Sequence, residues 1–141
     1  MDSQLKKDVE TVIEREMRKS LQSASRHKGI LERLQREHPV TWFGQKILSA
    51  RISHNQRKLL QKQKEISEYR EALTALQRGD PRKAIDVLDE IISETIPVSV
   101  FNADLNNNNF FPETPNPAFE HLMRLWRALN EEIAQTETSA A

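Results

Sequence analysis

Residues 48–76, LSARISHNQRKLLQKQKEISEYREALTAL, decide the fold. Leu48, Ile52, Asn55, Leu59, Lys62, Ile66, Tyr69, Leu73 and Leu76 follow alternating steps of four and three, the spacing of a heptad repeat. Ile52, Leu59, Ile66 and Leu73 take the a positions and the other five take d, so seven of nine seam positions are apolar or aromatic. A helix carrying such a seam needs a helical partner along its length. The exceptions, Asn55 and Lys62, fall inside a basic stretch, residues 44–64, that holds Lys46, Arg51, Arg57, Lys58, Lys62 and Lys64 with no acidic residue. One helix therefore calls for an apolar neighbour on one face and an anion on another. A continuous helix over about 41–78 would be about 57 Å long at the standard rise, too long for a compact chain of this size to cover alone.

Upstream, Leu5, Val9, Ile13, Met17 and Leu21 recur every four residues, and Ala24, Leu31 and Leu34 continue the helical spacing towards Pro39. Gly29 is a possible interruption, because glycine costs about 1 kcal/mol in a helix interior relative to alanine. Pro39 restricts the residue before it and so predicts an end at or before His38. Downstream, Gly79 suits the left-handed position after a helix, Asp80 an N-cap and Pro81 the first turn of a new helix. Ala84, Ile85, Leu88, Ile91 and Ile92 then mark one apolar face, and Phe119, Leu122, Trp126, Leu129 and Ile133 mark another behind the Asn116–Pro117 start signal. The segment QRGDPRKAIDVLDEII resembles the turn and second helix of a tetratricopeptide repeat. It does so once, whereas a solenoid needs about three units to bury its faces, so a helix–turn–helix hairpin is expected here.

The chain of 141 residues has three Gly, one Tyr and no Cys, which favours helix and leaves no disulfide, thiolate ligand or cysteine nucleophile. The expected fold is all-α: helices at about 4–38, 41–78, 81–95 and 117–135 in a single helical domain, 1–137. The first two form a long antiparallel, coiled-coil-like hairpin and the last two a shorter pair, giving a helical bundle that is expected to be dimeric. Residues 138–141 are expected to be a disordered tail. The seam residues Leu48, Ile52, Asn55, Leu59, Ile66, Tyr69 and Leu73 serve the hairpin, a dimer, or both, with Asn55 as a register-fixing polar site.

The formal net charge of zero conceals a division: residues 1–83 carry 19 Lys/Arg against 11 Asp/Glu, and residues 84–141 carry 2 against 10. The basic residues are the candidate partner site. Lys46, Arg51, Lys58 and Lys62 come nearest to one stripe of the second helix, while Arg57 and Lys64 lie elsewhere on the same helix and Arg33 and Arg36 could join from the first. Such a ridge suits an acidic protein surface or, without sequence preference, the phosphates of RNA or DNA. Residues 97–117 hold four prolines and the run Asn106–Asn109, so an irregular loop is expected over 96–116, and Phe101, Phe110 and Phe111 there, with Trp42 and Phe43 at the turn between the first two helices, are candidate docking aromatics.

His27, His38, His54 and His121 have no mate at metal-ligand spacing, and no nucleophile elbow, phosphate-cradling loop or dinucleotide fingerprint is present. The expectation is a non-catalytic adaptor, regulatory or assembly protein working through protein contacts, with nucleic-acid binding as the rival. No enzyme activity, cofactor, metal or small-molecule substrate is expected. No apolar run approaches a membrane span and the first 20 residues mix acids with cations, unlike a targeting peptide, so an intracellular, cytoplasmic setting without a membrane partner is the default.

Overall fold

The computed structural model describes residues 1–95 and 117–140. Among these residues the protein is all-helical, with four helices packed in a bundle-like manner and no strand. They are α1 (Ser3–Leu34), α2 (Trp42–Gln77), α3 (Arg82–Thr95) and α4 (Pro117–Ala140).

The boundaries follow local chemistry. α1 stops at Leu34, four residues before the expected His38, and the chain leaves it through tightened bonds from Arg36 N to Arg33 O and from Glu37 N to Leu34 O, at 3.2 and 3.1 Å. Thr41 caps α2: its hydroxyl accepts the Gly44 N–H at 3.0 Å. A β-carbon on Gly44 would stand 2.9 Å from the Pro39 side chain, so this turn closes only with glycine there. At the other end of α2, Gly79 adopts φ +86°, with Gly79 N bonded to Leu76 O at 3.0 Å and Asp80 N to Ala75 O at 2.9 Å. That pair of bonds is a Schellman motif. The Asp80 carboxylate then accepts the Arg82 N–H at 3.2 Å and starts α3. Gly29 does not interrupt α1, which is continuous through it. α4 runs five residues beyond the expected 135, and the Thr136 and Thr138 hydroxyls donate to the Glu132 and Ala134 carbonyls at 2.9 and 2.7 Å.

The chain separates into two compact units, and α1 and α2 contribute to both. Unit 1 comprises the described residues of Met1–Ile13 and Ala72–Ala141, where α3 packs against α4. Its interior is apolar: Val9, Val12 and Ile13 from α1, Ala72 and Leu76 from α2, Ala84, Val87, Leu88 and Ile91 from α3, and Leu122, Leu125 and Leu129 from α4. Each fully buried aliphatic side chain stabilises by about 1.5–3 kcal/mol. Val87 and Leu125 join the core where Ile85, Ile92, Phe119 and Ile133 are only half-buried. Unit 2, Glu14–Glu71, buries Leu31, Leu34, Ile66 and Tyr69 together with two polar residues, Ser20 and Asn55.

Candidate interaction surface

The α2 seam has one side turned inward along its whole length. Asn55, Ile66, Tyr69 and Leu76 are buried, and Leu48, Ile52, Leu59, Lys62 and Leu73 are half-buried. None of the nine heptad positions is exposed. Two α1 residues of unit 2 that reach the seam are polar: Ser20, which is buried, and His27, which is half-buried, seven residues apart.

Those polar residues meet polar partners. The Ser20 hydroxyl donates to Glu65 Oε2 at 3.0 Å, and the Lys62 ammonium donates to the same oxygen at 3.2 Å. Asn55 commits its Nδ2 to the Arg51 carbonyl at 2.8 Å, leaving Oδ1 to accept from His27 Nδ1–H at 2.9 Å. Ser20 and Asn55 are buried, and each left unpaired would cost about 1–3 kcal/mol, so their bonds define one register for unit 2. Sequence reasoning placed Asn55 and Lys62 on the seam but did not find Ser20, His27 or Glu65. The seven-residue spacing Ile13, Ser20, His27, Leu34 was the available signal. The four-residue series followed instead drifts about 40° per step around a helix, which is why its last member, Leu21, is 41% exposed.

The cations divide accordingly. Lys62 is half-buried and ion-paired to Glu65. Lys46, Arg51, Arg57, Lys58 and Lys64 on α2, Arg33 in the last turn of α1 and Arg36 just beyond it are exposed. Among the described residues none of these seven takes part in an ion pair. Arg57 and Lys64 lie seven residues apart on the side of α2 away from the seam, and Arg51 and Lys58, also seven apart, flank it. The structure therefore presents two parallel cationic stripes in place of one ridge.

Trp42 and Phe43 are exposed at the first turn of α2, with ring centroids 5.3 Å apart and planes at 88°. The Lys46 ammonium sits 5.5 Å from the Trp42 ring centroid, within cation–π range. Phe101, Phe110 and Phe111 lie outside the described residues.

Unit 1 has a different surface. An open groove of about 310 Å³ runs between the start of α1 and the end of α4, with Leu5 and Ala128 between Asp2, Asp8, Glu131 and Glu132. The Asp2 N–H donates to Glu132 Oε1 at 3.5 Å. Among the described residues no group of three or more His, Asp or Glu is placed to hold a metal ion, and no helix is long and apolar enough to cross a membrane. No protein-family model, no curated protein and no solved structure matches this chain.

Proposed function

We infer that the protein is a non-catalytic helical adaptor or assembly factor, in which α1 and α2 form a long antiparallel hairpin and the exposed stripes of α2 meet an acidic surface on a larger partner protein. The observation that carries this reading is the division of α2: the polar seam residues Asn55 and Lys62 are bonded by the chain's own side chains, while Arg51, Arg57, Lys58 and Lys64 are exposed and engage no carboxylate among the described residues. Cations left free on a rigid helix act through a partner's charge, setting orientation and encounter rate more than raw affinity. The antiparallel hairpin is supported by Ser20 bonding to Glu65 while the later His27 bonds to the earlier Asn55. The half-buried Leu48, Ile52 and Leu59 support a second copy packing against the hairpin to make a four-helix bundle. Asn55 already spends its side chain on His27 and Arg51, so register in such a dimer comes from other residues.

A second reading, sequence-independent binding of RNA or DNA, is favoured by the absence of any acidic residue from His38 to Lys64. Phosphate contacts of this kind draw their energy from released counterions and weaken steeply with salt. Titration of fluorescent duplex RNA, duplex DNA and single strands at two salt concentrations, with the solution mass measured alongside, separates the two readings. The adaptor reading predicts no binding at low salt, and capture of a protein partner that is lost when Arg51, Arg57, Lys58 and Lys64 are all changed to Glu. Tight, salt-sensitive binding abolished by the same four changes would replace it with the nucleic-acid reading. Binding of either kind that survives the four changes would sink both.

A further inference from the structure

Four of the seven large apolar side chains exposed among the described residues fall within residues 40–47: Val40, Trp42, Phe43 and Ile47 are 96, 65, 72 and 57% exposed. This is not loose chain. The Thr41 cap and the close approach of Gly44 to Pro39 fix the turn from which both aromatic residues project. The surroundings are cationic. Lys46 stands against Trp42, Arg36 is exposed on the approach to the turn, and no carboxylate occurs in sequence between Glu37 and Glu65. The first turn of α2 also has no acidic residue, leaving the positive end of the helix dipole unopposed.

We propose that this corner docks on an anionic phospholipid bilayer, with Val40, Trp42, Phe43 and Ile47 entering the headgroup and acyl boundary and Lys46 and Arg36 meeting lipid phosphates. Tryptophan favours that boundary because its ring is apolar and its N–H polar, and each nearby cation adds attraction to an anionic leaflet. The contact is peripheral and reversible, since no described helix can span. It goes beyond the adaptor reading, which uses cations further along α2, and it revises the expectation that no membrane takes part.

The geometry disfavours two other occupants. Successive bases stack on aromatic faces, yet here the rings stand at 88° to each other and Lys46 occupies one approach to Trp42. A protein groove takes side chains from one helix face at i, i+3 and i+4 spacing. Trp42 and Phe43 are consecutive, about 100° apart around the helix, and Val40 precedes it; a fluid interface accepts that spread.

The test uses the full chain with Trp126→Phe, which leaves Trp42 as the sole tryptophan. The Trp126 Nε1 has no hydrogen-bond partner among the described residues, so this change removes no bond. Vesicles of phosphatidylcholine alone and with about 30% phosphatidylserine are pelleted with the protein while Trp42 emission is recorded. Binding to the anionic vesicles with a blue shift, and quenching of Trp42 by brominated acyl chains, is the expected result. Trp42→Ala with Phe43→Ala should weaken binding about a hundredfold, and Arg36→Glu with Lys46→Glu about tenfold or more, both with unchanged helical circular dichroism. Absence of pelleting at low salt, pelleting without shift or quenching, or binding unaffected by the aromatic pair would each overturn the proposal. Because the vesicles contain no protein, these outcomes are independent of the adaptor reading.

Discussion

Unit 1 and unit 2 are built on the same two long helices yet filled differently. Among the described residues unit 1 closes over twelve apolar side chains, whereas unit 2 places Ser20, His27, Asn55 and Lys62 along its seam with Leu31, Leu34, Ile66 and Tyr69. The difference teaches that stability and register are separable. Apolar burial is strong but tolerant of sliding, while a hydrogen-bonded polar pair contributes little net energy and is satisfied in one alignment only. Unit 1 supplies the first kind of interaction and unit 2 the second. Charge divides along the same line: residues Glu14–Glu71 carry 14 Lys/Arg and 7 Asp/Glu, and the remainder of the chain carries 7 and 14. The unit with the weaker core is thus the one that offers free cations to a partner.

The largest effect belongs to the unit 1 core. Leu88→Ala removes a side chain with no exposed surface and should cost about 2–5 kcal/mol in urea unfolding. Leu60→Ala, on an exposed unit 2 position, should cost less than about 0.5; comparable losses at the two sites would erase the contrast. Next in size is the polar pair. Asn55→Leu alone should cost about 1–3 kcal/mol because it strands the His27 donor, and adding His27→Leu should restore most of that, as a double-mutant cycle would record. If the double variant stayed as unstable as the single one, the pair would not be the unit's register device. Gly79→Ala should lower stability by about 1–2 kcal/mol. Nothing crowds its added methyl group, so the cost comes entirely from the positive φ, and a neutral result would mean the Schellman turn can rearrange. The smallest effect is expected of Lys62→Met. Its ion pair with Glu65 is half-exposed, and such pairs contribute about 0–1 kcal/mol, so a thermal midpoint within a few degrees of the parent is expected. A large drop would show that Lys62 supports the seam through more than its charge.

Much of the architecture was legible in the sequence because its signals are local. Every heptad position of α2 is buried or half-buried, although the heptad missed Ala72, which is also buried, and Gly79 and Asp80 take the roles their chemistry suits, with Pro81 just ahead of α3. The Pro39 rule placed the end of α1 only as an upper limit, since it constrains the residue before proline and says nothing of the turn that precedes it. The end of α4 was placed too early: TETSAA reads as frayed, yet its threonine hydroxyls bond back to carbonyls within the helix. The candidate surface was half legible. Exposed cations on α2 follow from the seam by elimination, because a helix with one face engaged shows the others to solvent. That Lys62 differs from its neighbours does not follow, since its partner Glu65 is fixed in place by Ser20, 45 residues away in the chain.

By itself, the sequence determined the helical class, the seam of α2, the capped break between α2 and α3 and the unequal distribution of charge. Each of these depends on a residue and its near neighbours, through backbone preference, periodicity or composition. Only the tertiary structure decided that Ser20 is buried and His27 half-buried against α2, that α2 bears two cationic stripes, and that Trp42 and Phe43 remain outside the core. A polar group can be buried only where a distant chain segment supplies its hydrogen bond, and an aromatic ring stays exposed only when no segment reaches it. Both outcomes depend on which parts of the chain meet, a relation that no local stretch of residues contains.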